Sequence, residues 1–194
     1  MNGAVVKYGL IGLAIVGYLG YTSLQGSKPQ AADLGSVLDR TDYALTNYQV
    51  SNADETVDEA EMELFTGFMT DVMNAEQAFY AKPIGMTLGS DAVFTGFEDT
   101  NANRVRDDGE ENIFTVEVDV ENERLIATDV SGNSVHHRYS GSGLVTGLLI
   151  GRLLSRQSAS GIRRGSFNNR RTTSRASYSG ARSRSRSGGS RSGK

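Results

Sequence analysis

Asp99, Asn101, Asn103, Val105, Asp107 and Glu110 fall at positions 1, 3, 5, 7, 9 and 12 of a 12-residue stretch. That spacing lets one loop wrap six oxygens around a hard cation such as Ca²⁺, with Val105 contributing its backbone carbonyl and Asp107 acting through water. Position six is usually glycine because the backbone turns there with positive φ. Arg104 occupies it instead, at a cost of about 1 kcal/mol. Arg104 and Arg106 also offset part of the loop charge. Only one such loop is visible, so binding is expected to be weak, on the order of 10⁻⁴–10⁻³ M. A metal-free, Asx-rich turn is the alternative reading of the same residues.

The run D-T-N-x-N-x-V-x-D-x-G-E resembles the calcium loops in repeat modules of bacterial cell-surface adhesins, which also carry an aromatic just upstream, as Phe97 does here. The resemblance implies calcium as a cofactor and covers residues 99–110 alone.

A second chemistry lies in the charge distribution. Residues 30–129 hold all 23 acids against five bases, whereas residues 130–194 hold 12 arginines and one lysine and no acid. Opposed fields of this kind point to parts that face different partners or compartments. After Ser155 the chain has almost no apolar residues, so residues 156–194 are expected to be disordered. Arg163, Arg164, Arg170, Arg171, Arg175, Arg182, Arg184, Arg186 and Arg191, spaced by serine and glycine and joined by Phe167 and Tyr178, suit loose binding of polyanions. Anionic lipid, lipopolysaccharide and nucleic acid all qualify. Phosphorylation within the Ser-Arg alternation at 183–187 would reverse its local charge.

Catalysis finds little support. Without cysteine there is neither a disulfide framework nor a thiolate metal site. No nucleophile–base pair or phosphate-cradling glycine loop stands out, and carboxylates on a helix face read as solvated surface. His136 and His137 are neighbours in an expected strand, so they leave on opposite faces and cannot share a site. Neither an enzyme nor a small-molecule substrate is expected.

The elements that must position these residues read as an α+β arrangement. Residues 36–50 form a short helix. A longer one runs over 53–80, capped by Asn52 with Glu55 three residues on, its stripe made of Val57, Leu64, Phe65, Phe68, Val72, Ala75 and Phe79. Lys82-Pro83 and Gly85 stop it. A three-stranded antiparallel meander follows: Phe114–Val120, Arg124–Thr128 and Ser134–Tyr139, joined by turns at 121–123 and 129–133.

Residues 3–24 are apolar apart from Lys7, and Tyr8–Leu24 run 17 residues without charge, near the lower limit for a transmembrane helix. A cleaved signal peptide competes with this reading. Gly143, Gly147 and Gly151 lie four apart, a ridge suited to close helix packing in lipid, within the chain or in a homo-oligomer. Residues 139–155 are read as a second span, an interfacial helix or a soluble packing helix. A second span would return the basic tail to the cytoplasm, as positive-inside bias prefers. The order GLLIGRLLS, RRGSF and then a Ser/Arg/Gly tail resembles small bacterial envelope proteins of the YgiB type, which implies an envelope location.

The expected organisation is thus an anchor and linker at 1–29, an acidic α+β domain at 30–140, a glycine-zipper helix at 141–155 and a basic tail at 156–194. The expected protein sits in the cell membrane, single-pass or two-pass, with its acidic domain extracytoplasmic. It is non-enzymatic and structural or adaptor in role, its tail binding polyanions; the alternative is a nucleic-acid-associated membrane protein, a virion or nucleoid tether.

Overall fold

A computed structural model describes residues 32–48, 57–76, 78–139, 144–163 and 165–179. The expected N-terminal anchor lies outside them. The fold is α+β: helices α1 (Leu34–Asn47), α2 (Glu59–Met73), α3 (Leu144–Ala159) and a short α4 at 175–179 accompany a six-stranded mixed sheet. The strands are β1 (Ile84–Leu88), β2 (Phe94–Glu98), β3 (Asn112–Asp119), β4 (Arg124–Asp129), β5 (Ser134–Arg138) and β6 (Thr173–Ser174), paired in chain order. β1 to β5 are antiparallel neighbours, and β6 joins β5 in parallel.

α1 begins where the Asp33 carboxylate accepts from the Gly35 N–H at 3.1 Å, satisfying one of the orphan donors of a helix start. α2 is shorter than its expected span of 53–80. Its cap is Asp58, whose side chain accepts from the Glu61 N–H at 2.9 Å. Asp58 and Glu61 repeat the spacing of Asn52 and Glu55, and the working pair is the one directly before the buried Met62, Phe65 and Met69. The helix ends at Met73, well before Lys82-Pro83. Arg40 on α1 donates to the carbonyls of Val72 (3.0 Å), Met73 (2.6 Å) and Glu76 (3.1 Å). Asn74 donates to Thr70 O at 2.8 Å and Ile84 O at 2.7 Å, and accepts from Ile84 N at 2.8 Å. These partners take the carbonyls that a helix end leaves unpaired. Phe79 therefore lies beyond the helix, under the Arg40 guanidinium, and Leu64, expected in the stripe, is exposed.

The expected three-stranded meander is the centre of a larger sheet. β1 and β2 carry glycines that hide strand patterning, and each glycine sits opposite a phenylalanine on the next strand: Gly85 faces Phe97, and Gly96 faces Phe114. A Cβ at Gly85 would overlap the Phe97 ring, and one at Gly96 the Phe114 ring. Each ring covers its glycine and supplies the packing that the glycine lacks.

One face of the sheet, with Phe94, Phe114, Val116, Val118, Leu125, Ala127 and Val135, packs with apolar residues of α1, α2 and α3 into a single core. α3 enters through Leu149, Ile150 and Leu153, while Thr146 donates to Leu45 O at 3.0 Å and Gln157 to Val118 O at 2.9 Å. α3 is therefore a packing helix and not a second span. Among the described residues no helix is long and apolar enough to cross a membrane.

The back face carries Glu117, Asp119, Arg124, Ile126 and His136, placed together by the register of β3, β4 and β5. Residues 165–174 lie across it. Their Phe167 is buried and β6 extends the sheet. The expectation of a disordered tail from residue 156 is thus corrected as far as residue 179.

Candidate functional site

The β2–β3 loop brings most of the expected oxygen donors together. Asp99, 2% exposed, leaves the end of β2. Its Oδ1 accepts from the Asn103 N–H at 3.0 Å and its Oδ2 from the Arg104 N–H at 2.9 Å. Asn101 Oδ1 accepts from the same Asn103 N–H at 3.1 Å, and Asn103 Oδ1 from the Val105 N–H at 2.7 Å. Glu110, 6% exposed, closes the loop by accepting from the Thr100 N–H at 2.8 Å and the Asp107 N–H at 3.0 Å.

Arg104 has φ +65°, the left-handed turn that position six demands. Its guanidinium reaches Asp71 on α2 at 2.6 Å, a contact that glycine could not make. Val105 is exposed and enters these contacts through its N–H.

Asn101 and Asn103 both direct their amide nitrogens to Asp107 Oδ2, at 2.7 and 2.8 Å. Rotating either amide would present its oxygen there instead, leaving several oxygens with only a cation to balance them. The donor types suit a hard ion. Among the described residues no group of three or more His, Cys, Asp or Glu side chains is arranged to hold a metal.

Beside the loop, Glu98 is buried and accepts from Tyr80 and Lys82, a cluster not anticipated from the sequence. Burial alone would raise the Glu98 pKa, but the bonds from Lys82 and Tyr80 and the charge of Lys82 outweigh it and hold the carboxyl below its usual range. Burial and then the Glu98 bond push the Tyr80 hydroxyl well above its ordinary value.

The arginines divide into two groups. Arg170 makes a two-pronged pair with Glu117, Nη2 to Oε1 at 2.6 Å, and lies over the Phe167 ring. Burial raises the Glu117 pKa, with Arg170 opposing it. Arg175 binds Asp39 on α1, Nε to Oδ1 at 3.1 Å. Both arginines, expected as polyanion ligands, are here paired with carboxylates of the folded body. Arg124 completes the clamp by pairing with the buried Asp119 at 2.7 Å and donating to Phe167 O at 2.9 Å.

Arg163 and Arg171 are exposed; neither side chain has a hydrogen bond or ion pair among the described residues. Arg171 lines an open groove of about 630 Å³ with Ala32, Gly132, Asn133, Thr173 and Tyr178. Arg164, Arg182, Arg184, Arg186 and Arg191 lie outside the described residues, as does Gly143. Gly147 and Gly151 are exposed on α3, and added Cβ atoms would meet nothing within 4 Å. The expected packing ridge therefore engages no helix among the described residues. His136 and His137 part as expected: His136 meets Thr172 at 2.9 Å, and His137 lies 4.0 Å from Asp42 on α1.

No protein-family model, curated protein or solved structure matches this chain.

Proposed function

We propose that this chain is a non-enzymatic, membrane-anchored envelope protein of structural or adaptor role. Its acidic domain lies outside the cytoplasm and is braced by Ca²⁺ at the β2–β3 loop, and arginines that lack internal partners bind polyanions. The observation that carries the calcium reading is the winding of that loop. Asp99 grips the N–H groups of residues 103 and 104, with Arg104 left-handed. Carboxyl or amide groups of Asp99, Asn101, Asn103, Asp107 and Glu110 are thereby gathered in one turn of chain. The ion would tie the end of β2 to the start of β3 and take over the charge on Asp107.

The anchor reading draws on the uncharged run at 8–24. Because α3 and residues 165–179 fold onto the acidic domain, the described residues form one body and stay on one side of any membrane the chain enters. On this reading the chain passes the membrane once, with residue 179 on the same side as the acids.

Thermal melting of the full chain in detergent, with Ca²⁺ or with a chelator, tests the loop. Calcium at ten times its dissociation constant adds about 1.4 kcal/mol, a rise of roughly 3–6 °C for a chain of this size. The increment should vanish in Asn101→Ala and Asp107→Ala. Absence of any increment in the parent retires the metal site. Extraction by an alkaline wash of membranes would retire the anchor.

A further inference from the structure

We infer that residues 165–179 are a latched strap, and that the phosphate groups of a polyanion unlatch it by taking Arg170 and Arg175 from their carboxylates. The inference rests on the proposed polyanion reading and extends it to arginines that the closed fold keeps occupied.

What holds the strap is almost entirely polar. The Gly165 N–H donates to the Glu121 carboxylate at 2.6 Å, and the Asn122 amide donates to Asn168 Oδ1 at 3.2 Å. Arg124 reaches Phe167 O, Arg170 forks onto Glu117, Thr172 meets His136 and Arg175 binds Asp39. Strand β6 adds only a two-residue parallel pairing. Phe167 is the one buried residue of the strap, with Tyr178 half-buried against the core. By contrast α3, the helix before it, is fixed by Leu149, Ile150 and Leu153 in the core. A segment with so little apolar burial, held by charges that salt and competing ions weaken, opens more readily than the core beneath it.

The strap is also hinged so that its departure leaves the rest intact. Gly161, with φ +80°, closes α3: its N–H bonds to Ser158 O at 3.1 Å, and the Ile162 N–H bonds to Gln157 O at 2.9 Å. That glycine-based stop occupies the helix carbonyls before the strap begins. Arg156 and Ser160 then hold the helix end to Gly89 O and Ser90 O, at 3.0 and 2.8 Å. Gly165, with φ +82°, follows as a second turn.

Beneath the strap, Ile126 is fully buried yet stands outside the main core, between Glu117 and His136 in the strand register. Arg170 and Thr172 hold those two neighbours, so the strap seals Ile126 from water. Lifting the strap returns both Glu117 and Arg170 to solvent. Neither is then left buried and alone, and the penalty that guards a buried ion pair is absent.

The exchange is chemically like for like, because a guanidinium fork fits phosphate oxygens as it fits a carboxylate. Residues 165–179 carry Arg170, Arg171 and Arg175 and no acid. The acids that neutralise Arg170 and Arg175 are Glu117 and Asp39, which belong to the body. An open strap is therefore purely cationic, and a phosphate polymer binds it better than the closed one. That difference in affinity is what shifts the equilibrium.

The chain has no cysteine, so single introduced thiols report exposure. Ile126→Cys places one under the strap, and Val118→Cys places one in the core, both at fully buried positions. The full chain in neutral detergent is given a thiol reagent, with and without inorganic polyphosphate at matched ionic strength. Polyphosphate at ten times its dissociation constant for the open strap should speed the reaction at position 126 about tenfold, while position 118 stays protected. Glu117→Gln should speed the reaction at 126 without polyphosphate. Arg170→Gln should speed it too, but should blunt the further acceleration by polyphosphate. Phosphatidylglycerol added to the micelles presents the same phosphate chemistry from lipid: acceleration by it alone assigns the phosphate to head groups, and acceleration by polyphosphate alone assigns it to a free polymer. Either supports the exchange.

Equal acceleration at 126 and 118 means that the body opens as a whole, which overturns the strap. Acceleration matched by chloride salt at the same ionic strength, or undiminished in Arg170→Gln, overturns the phosphate exchange. Fluorescently labelled polyphosphate that binds, by anisotropy, while neither phosphate source speeds the reaction at 126 overturns the inference and leaves the polyanion reading standing. Absence of binding removes both.

Discussion

The Arg170 guanidinium grips the Glu117 carboxylate across 53 residues of chain, turning part of a basic, serine-rich stretch into a covering for the back face of the sheet. Glu117 is 7% exposed, and a buried carboxylate that loses its partner keeps its full desolvation cost. Arg170→Ala should therefore destabilise the fold by about 1–3 kcal/mol. Arg163→Ala, at an exposed arginine whose side chain has no partner among the described residues, should stay within about 0.5 kcal/mol. Urea melts of the two variants check this, and equal midpoints would show that the clamp contributes nothing.

Gly147 and Gly151 decide whether the glycine ridge serves packing. Neither has an atom of another described element within 4 Å of an added Cβ, so alanine there meets no neighbour among the described residues and lowers the conformational freedom of the unfolded chain. Each of Gly147→Ala and Gly151→Ala should stabilise the fold by about 0.5–1 kcal/mol. Destabilisation, or loss of a native oligomer on size-exclusion chromatography, would restore the ridge as a helix contact.

Gly96 should behave oppositely. Its missing Cβ makes room for the Phe114 ring, and Phe114 is fully buried. Gly96→Ala overpacks that site and should cost about 1–3 kcal/mol. Pairing it with Phe114→Leu should recover part of the loss, measured as non-additivity in a double-mutant cycle.

His136, which meets Thr172 of the segment across the back face, gives the fold a dependence on pH. Burial, followed by the charges of Arg124, Arg138 and His137, lowers its pKa from the ordinary value. The fold therefore favours the neutral ring, while the unfolded chain takes up a proton more readily. This contribution is complete above the usual histidine value of about 6.5 and is lost as pH falls through the lower folded value. The melting temperature should drop between about pH 7.5 and 5.5, and His136→Gln should flatten that slope. Glu98, held below its usual range, adds an acid loss of its own, but only lower down, through the carboxylate range.

The residues that announced themselves were those whose signal is local. The loop from Asp99 to Glu110 was legible as a loop because Asp, Asn and Gly residues choose turns. The strands around Val116, Ile126 and Val135 were legible because a half-buried strand alternates with period two. The turns at 121–123 and 129–133 were legible because their residues choose the turn. β1 and β2 escaped notice since Gly85 and Gly96 show no side chain, and the Phe97 and Phe114 rings that compensate belong to other strands.

The end of α2 and the fate of the basic stretch were decided at longer range. Arg40 collects the carbonyls of Val72, Met73 and Glu76 from a different helix, and nothing near Met73 foretells that. The stretch from Ser155 onward contains too little apolar surface to fold by its own means, which local composition reports correctly. Composition cannot report that Glu117, Asp119 and Ile126 form a back face needing a cover. Local sequence patterns determine propensity, turn and spacing because those act between neighbours. Which charged groups are paired, and which remain for a partner, depends on contacts between distant segments, and these exist only once the sheet has assembled.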